Sequence, residues 1–134
     1  MISTGVTAWG AGCPSINRAG PVAFQLMNVT EETQHVAVTL SEHEGETVLS
    51  ESYEIGERKP TGEATVIRED EFVEARTDDR FTIDLELSSG ESAESGFRVM
   101  CMGRENSTDV FVAEIRASRE ENDTYFVFDQ SVCG

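Results

Sequence analysis

Phe81-Thr82-Ile83-Asp84-Leu85-Glu86-Leu87 alternates apolar and polar residues without a break. A repeat of two puts Phe81, Ile83, Leu85 and Leu87 on one face and Thr82, Asp84 and Glu86 on the other. That is the requirement of a β-strand with one side against a core and one in water. No helix could sort these residues, because a helical face needs a spacing of three or four. The reading of this segment sets the reading of its neighbours.

Upstream, Gln34 to Ser41 repeats the pattern, with Val36, Val38 and Leu40 on one face and His35, Ala37 and Thr39 on the other. Val22 to Val29 reads as a strand before it, and Thr30-Glu31-Glu32-Thr33 as the polar turn between them. Glu42-His43-Glu44-Gly45-Glu46 supplies a glycine-containing hairpin loop. Thr47 to Ile55 follows, with Leu49, Tyr53 and Ile55 sharing a face. Gly56 to Gly62 reads as a loop and Glu63 to Arg68 as a short strand. Glu69 to Ala75 fits either a single helical turn or a short edge strand. Downstream, Ser88 to Gly96 reads as a flexible loop rich in Ser, Gly and Glu. Phe97 to Met102, Val110 to Ala117 and Thr124 to Val132 complete the set. No window carries a capped helical face. Strands at this spacing without helices predict an all-β fold, an antiparallel sandwich of about seven to nine strands. The length of 134 residues leaves room for one domain, residues 21–134, behind a leader or tether over residues 1–20.

The charge balance says where such a domain works. There are 26 acidic residues against 10 basic ones, a formal charge of -16, and Lys59 is the single lysine. Repulsion on this scale is tolerable when salt screens it, and at molar salt the Debye length is about 3 Å. The composition resembles that of proteins from extreme halophiles. The excess of acid excludes nucleic acid, whose binding needs cations against phosphate. It also disfavours electrostatic docking on anionic lipid.

Three asparagines, Asn28, Asn106 and Asn122, open the sequons Asn28-Val29-Thr30, Asn106-Ser107-Thr108 and Asn122-Asp123-Thr124. They are candidate glycosylation sites of an exported chain, although Asn and Thr are also common in turns. Of the three cysteines, Cys101 and Cys133 fall in or at the end of predicted strands. A disulfide between them would close a loop of about 30 residues and contribute about 3–4 kcal/mol in the chain-entropy model. Two buried thiols are the competing reading, and the one a reducing compartment would favour. Cys13 ends the acid-free leader Ile2 to Cys13, where Gly10-Ala11-Gly12 precedes it. Small residues before a cysteine resemble the tail of a lipoprotein signal, with Cys13 as the lipidated residue. Gly10 stands where such signals carry Leu, and no basic region precedes the apolar part. A start codon placed too far downstream would account for that. The other reading is a first strand, Val6 to Trp9, with Cys13 free. No stretch approaches the ~18 apolar residues of a membrane span.

The hairpin of Val22 to Tyr53, with its Asn28-Val29-Thr30-Glu31-Glu32-Thr33 and Glu44-Gly45-Glu46 turns, is similar to the immunoglobulin-like β-sandwich domains of secreted haloarchaeal proteins and lipoproteins. The carboxyl third, ending in Phe126-Val127-Phe128-Asp129-Gln130-Ser131-Val132-Cys133, resembles them too. The resemblance covers residues 22 to 133. It implies an immunoglobulin-like fold, export and a disulfide, and no activity.

A copper site would need two His and one Cys, with the later ligands clustered near the carboxyl end. His35 and His43 both lie far upstream of Cys101, and no His follows it. The acidic runs Glu69-Asp70-Glu71, Asp78-Asp79 and Glu120-Glu121-Asn122-Asp123 lack the spacing of a calcium loop. No nucleophile elbow, zinc-binding helix motif or phosphate-binding glycine loop occurs. The expectation is therefore a non-enzymatic, cofactor-free module, exported or lipid-anchored at the cell envelope, that makes structural or protein-binding contacts there. One alternative is a solute- or ligand-binding accessory protein of the same envelope. Another is a small secreted redox protein using Cys101, whose thiol would be tuned by Arg98 and Arg104.

Overall fold

The computed structural model of the protein describes residues 19–100, 109–119 and 123–131. The described residues form eight strands and no helix. These are β1 (Gly20–Asn28), β2 (Gln34–Glu42), β3 (Thr47–Ile55), β4 (Thr65–Ala75), β5 (Arg80–Leu87), β6 (Ser92–Arg98), β7 (Val110–Ala117) and β8 (Thr124–Ser131). They make two four-stranded sheets, one in the order β4-β1-β7-β8 and the other β3-β2-β5-β6. The protein is a β-sandwich. Five of the six strand pairs are antiparallel, and β1 with β7 is parallel. The antiparallel sandwich of about seven to nine strands expected from the sequence is the fold observed, with this one parallel pair inside it. Pattern within a strand sets which side chains face inward and carries no information on the direction of a distant neighbour.

Period-two patterning is realised where it is strongest. Val36, Val38 and Leu40 of β2 and Ile83, Leu85 and Leu87 of β5 are buried, and the two strands pair with Val38 opposite Leu85. Val22, Phe24 and Leu26 of β1 and Phe111, Ala113 and Ile115 of β7 supply the facing layer. Aromatic rings tie the layers together. Phe111 stacks on Phe97 of the opposite sheet with centroids 4.3 Å apart, and its ring lies 6.5 Å from Phe24 and 5.8 Å from Phe128. Phe97 continues to Phe81 at 5.5 Å.

Three segments differ from their sequence reading. The strand read over Glu63 to Arg68 begins at Thr65 and runs on through the ambiguous Glu69 to Ala75 as one strand, β4. Its pairing with β1 slips between Val22, opposite Val73, and Phe24, opposite Glu69. The extra residues bulge, and the bulge turns Phe72 inward to stack on Phe24 at 4.8 Å. A bulge breaks alternation, which is why the run read ambiguously. Ser88 to Gly96 is not a loop throughout. Gly90, at φ +111, closes a tight turn through its N–H to Leu87 O, and β6 starts at Ser92. The inward residues at the start of β6 are Ala93 and Ser95, too small to give a hydrophobic signal. The strand expected over Phe97 to Met102 stops at Arg98. Val99 then bonds the β4–β5 loop instead, accepting from Asp78 N–H and donating to Asp79 O. The β2–β3 hairpin turn forms as read, but the left-handed residue is Glu44, at φ 57. At Gly45 a Cβ would lie a tight 3.0 Å from the Glu42 Cβ.

Phe111→Ala should lower the unfolding free energy by about 3–5 kcal/mol, since the ring touches both sheets. Val48→Ala, at a side chain 44% exposed, should change it by less than about 0.5 kcal/mol. Urea unfolding in molar salt measures both.

Candidate functional site

The interior is apolar along its length and polar at its two ends. At the end where β1 finishes, Asn28, Thr30 and Gln34 are buried. A buried amide must place its donors and acceptor or forfeit stability. Asn28 Nδ2 donates to Glu32 O at 2.9 Å, Gly56 O at 3.0 Å and Ile55 O at 3.4 Å. Asn28 Oδ1 accepts from the Thr30 N–H at 2.9 Å and the Thr30 hydroxyl at 2.7 Å. Gln34 Nε2 donates to Thr30 Oγ1 at 3.0 Å. The backbone adds Val29 N–H to Ile115 O and Arg58 N–H to Thr30 O. One side chain thus joins the end of β1, the turn into β2 and the end of β3, across both sheets.

This geometry corrects the sequon reading at Asn28. The residue is 0% exposed and its nitrogen is committed to backbone carbonyls, so a glycan on Nδ2 would displace the knot. The Asn-x-Thr spacing serves structure here, with the Thr completing the amide's hydrogen bonds. Asn106 and Asn122 lie outside the described residues, as do Cys13, Cys101 and Cys133 and the leader over residues 1–18.

At the other end Asp109, just before β7, is 0% exposed. Its backbone oxygen accepts from Ala23 N–H. Its Oδ2 accepts from Met100 N–H at 2.9 Å and from Gln130 Nε2 at 3.1 Å. Gln130 Nε2 also donates to Arg98 O at 2.7 Å. The carboxylate therefore holds the chain leaving β6 and the side chain near the end of β8 at one point. Sequence reading missed Asp109, because one acid among 26 carries no mark of burial.

The histidines are apart and exposed. His35 lies on the outer face of β2, and His43 sits in the hairpin turn with Nε2 4.0 Å from Glu44. Among the described residues no three His, Cys, Asp or Glu side chains group to hold a metal ion. Arg98, considered as a tuning cation for Cys101, faces Asp78 at 3.9 Å. Among the described residues the cavities are shallow surface depressions. One of about 980 Å³ opens between Glu91, Arg119, Asp123 and Tyr125. No helix of the described residues is long and apolar enough to cross a membrane.

Along the seam where β3 borders β4, Tyr53 is half-buried between two carboxylates. Its phenol is pushed from 10.0 up to about 12, first by burial and then by Glu69 and Glu51. Burial and negative neighbours both oppose the phenolate. Compared with known proteins, the chain matches no family model and no curated protein.

Two outcomes follow from these sites. Asn28→Ala removes donors from buried carbonyls and should cost about 1–3 kcal/mol in chemical denaturation. Ultraviolet titration should find one of the two tyrosines ionising near pH 12, a transition that Tyr53→Phe abolishes. Because the folded state keeps its proton where the unfolded state has lost it, stability should fall as pH rises from 10.0 to about 12. Salt should only trim this shift, since its first cause is burial and not charge.

Proposed function

We propose that the chain is a non-enzymatic β-sandwich module of a halophile's cell envelope. In this reading it works outside the cytoplasm and makes structural or binding contacts with another envelope protein. Cys13 tethers it through a lipid, and a Cys101–Cys133 disulfide locks its last strand. Glycans, where present, are carried by Asn106 and Asn122. The immunoglobulin-like resemblance belongs to the same reading.

One observation carries it: a single buried carboxylate holds both Met100 and Gln130. Met100 immediately precedes Cys101, and Gln130 stands three residues before Cys133. A disulfide needs Cα atoms closer than about 7 Å, and the proposed bridge asks the residues that follow Met100 and Gln130 to satisfy it. A bridge also belongs to oxidising compartments, which agrees with export. The charge pattern supports the same setting. The outward positions of β5 and β6 carry Asp84, Glu86 and Glu94 in solvent, where molar salt screens them.

Intact-mass analysis with thiol labelling on natively expressed protein tests the reading. A mass two hydrogens below the reduced chain, no label on Cys101 or Cys133, and a lipid adduct on Cys13 are expected. Cys133→Ser should cost about 2–5 kcal/mol of stability, and the melting temperature should rise from dilute to molar salt. Three labelled thiols on an unmodified chain would overturn the proposal. So would a melt indifferent to salt.

A further inference from the structure

Four methionines occur in the chain, and two of them, Met27 and Met100, lie among the described residues. Their surroundings differ. Met27 is half-buried on the outer face of β1, where its sulfur accepts from the neutral amide Nε2 of Gln25 at 3.6 Å. Met100 follows the end of β6 and is 40% exposed. Its Sδ accepts from the guanidinium Nε of Arg98 at 3.4 Å. Neither Arg98 nor Met100 belongs to the hydrophobic core, so packing does not account for the pair.

The backbone beneath this pair is held at each residue. Arg98 O accepts from Gln130 Nε2 at 2.7 Å. Val99 is 0% exposed, its N–H donates to Asp79 O, and its carbonyl accepts from Asp78 N–H. Met100 N–H donates to the buried carboxylate of Asp109 at 2.9 Å. With Val99 turned into the core, the residues on either side of it face outward. Asp78 Oδ1 lies 3.9 Å from Arg98 Nε and holds the guanidinium at this end of the sheet. The fold thus uses the backbone amide of Met100 and not its side chain. The thioether can change chemically without opening the core.

We propose that Met100 is a site of reversible oxidation by hydrogen peroxide, and that Arg98 biases the configuration of the sulfoxide. A sulfur lone pair attacks one peroxide oxygen, an S–O bond forms and the O–O bond breaks. The departing hydroxide takes the proton of the transferred oxygen and leaves as water. Sulfur has then lost two electrons and the peroxide has gained them. The thioether carries two lone pairs. Arg98 Nε–H occupies one, the oxidant reaches the other, and one epimer of the chiral product is favoured. The sulfoxide oxygen accepts hydrogen bonds better than the thioether did, and the guanidinium beside it offers charged donors. Return to the thioether falls to a thiol-dependent sulfoxide reductase: two thiols close to a disulfide and the oxygen departs as water. The exposure of Met100 gives such an enzyme its access. The step needs neither a lipid tether nor a cysteine bridge, so it stands independently of the reading above.

Dilute hydrogen peroxide on the full chain, at a salt concentration where circular dichroism shows it folded, tests the proposal. Fragmentation of the tryptic peptide that carries Met100 separates its oxidation from that of Cys101 and Met102. Met100 sulfoxide should form about fivefold faster than Met27 sulfoxide, with the strand signal unchanged. Treating the digest with the two reductases specific for opposite epimers should find one epimer of Met100 in about threefold excess. Arg98→Ala leaves the backbone bonds and the core in place and should bring the two epimers to equal amounts. The wild type oxidised in urea should give the same even mixture, a control that does not depend on the variant folding. An equal or faster rate at Met27 overturns the proposal. So does an even mixture from the folded wild type, or an excess that survives in folded Arg98→Ala or in urea.

Discussion

The parallel pairing of β1 with β7 is the constraint from which the rest of this molecule is built. It runs from Ala23 opposite Val110 to Asn28 opposite Ile115, and it joins the first described strand to the seventh. Both are central in their sheet, so the register of β4 on one side and β8 on the other is inherited from it. The pairing also places the two polar ends. Asp109 precedes β7 where β1 begins, and Asn28 closes β1 where its neighbour runs out. Between them every inward position on these two strands is apolar. A parallel contact between distant segments is costly in chain entropy to form. The side chains that repay it are Phe24, Phe111 and Phe97, whose rings bridge the sheets.

Polar burial and acidic surface do separate jobs. The buried amide and carboxylate each hold several backbone groups, and such groups fix geometry because an unmade bond there is expensive. The acids outside hold at most a nearby turn, as Asp79 does in accepting from Arg76 N–H at 2.8 Å. The ion pairs they make, Arg58 with Glu31 at 3.2 Å, Arg68 with Asp70 at 2.6 Å and Arg98 with Asp78 at 3.9 Å, are exposed and contribute little each. Their collective effect is repulsion, which salt moderates and which disfavours contact between copies wherever acids would meet. Glu51 and Glu69 also crowd Tyr53, so one seam of the sandwich is kept acidic down to its half-buried layer.

Much of the fold was legible along the chain, and particular residues show why. In β2 and β5, strict alternation names the inward residues without any knowledge of neighbours, since a strand turns each side chain by a fixed step. β1, β3, β7 and β8 were readable to within a residue or two for the same reason. The bulge at Asp70 to Phe72 hid β4, because those residues interrupt the alternation between Glu69 and Val73 and the sequence shows only the lost rhythm. The start of β6 was hidden because Ala93 and Ser95 are small where β5 opposite presents Leu85 and Ile83. Asn28 was misread as a surface sequon, since its pattern is local and its burial is not.

The amino-acid sequence by itself determined the strand-rich class, the inward rows, the acidic exterior and the tight turn at Gly45. All of these depend on neighbours a few residues away or on composition. Tertiary structure alone decided that β1 and β7 run parallel, that Asn28 and Asp109 are buried at the two ends, and that β4, β8, β3 and β6 stand at the edges of the two sheets. Those outcomes depend on which segments meet across the whole chain. A single strand's pattern constrains its own faces and leaves its partners, their direction and their register to the packing of the assembled core.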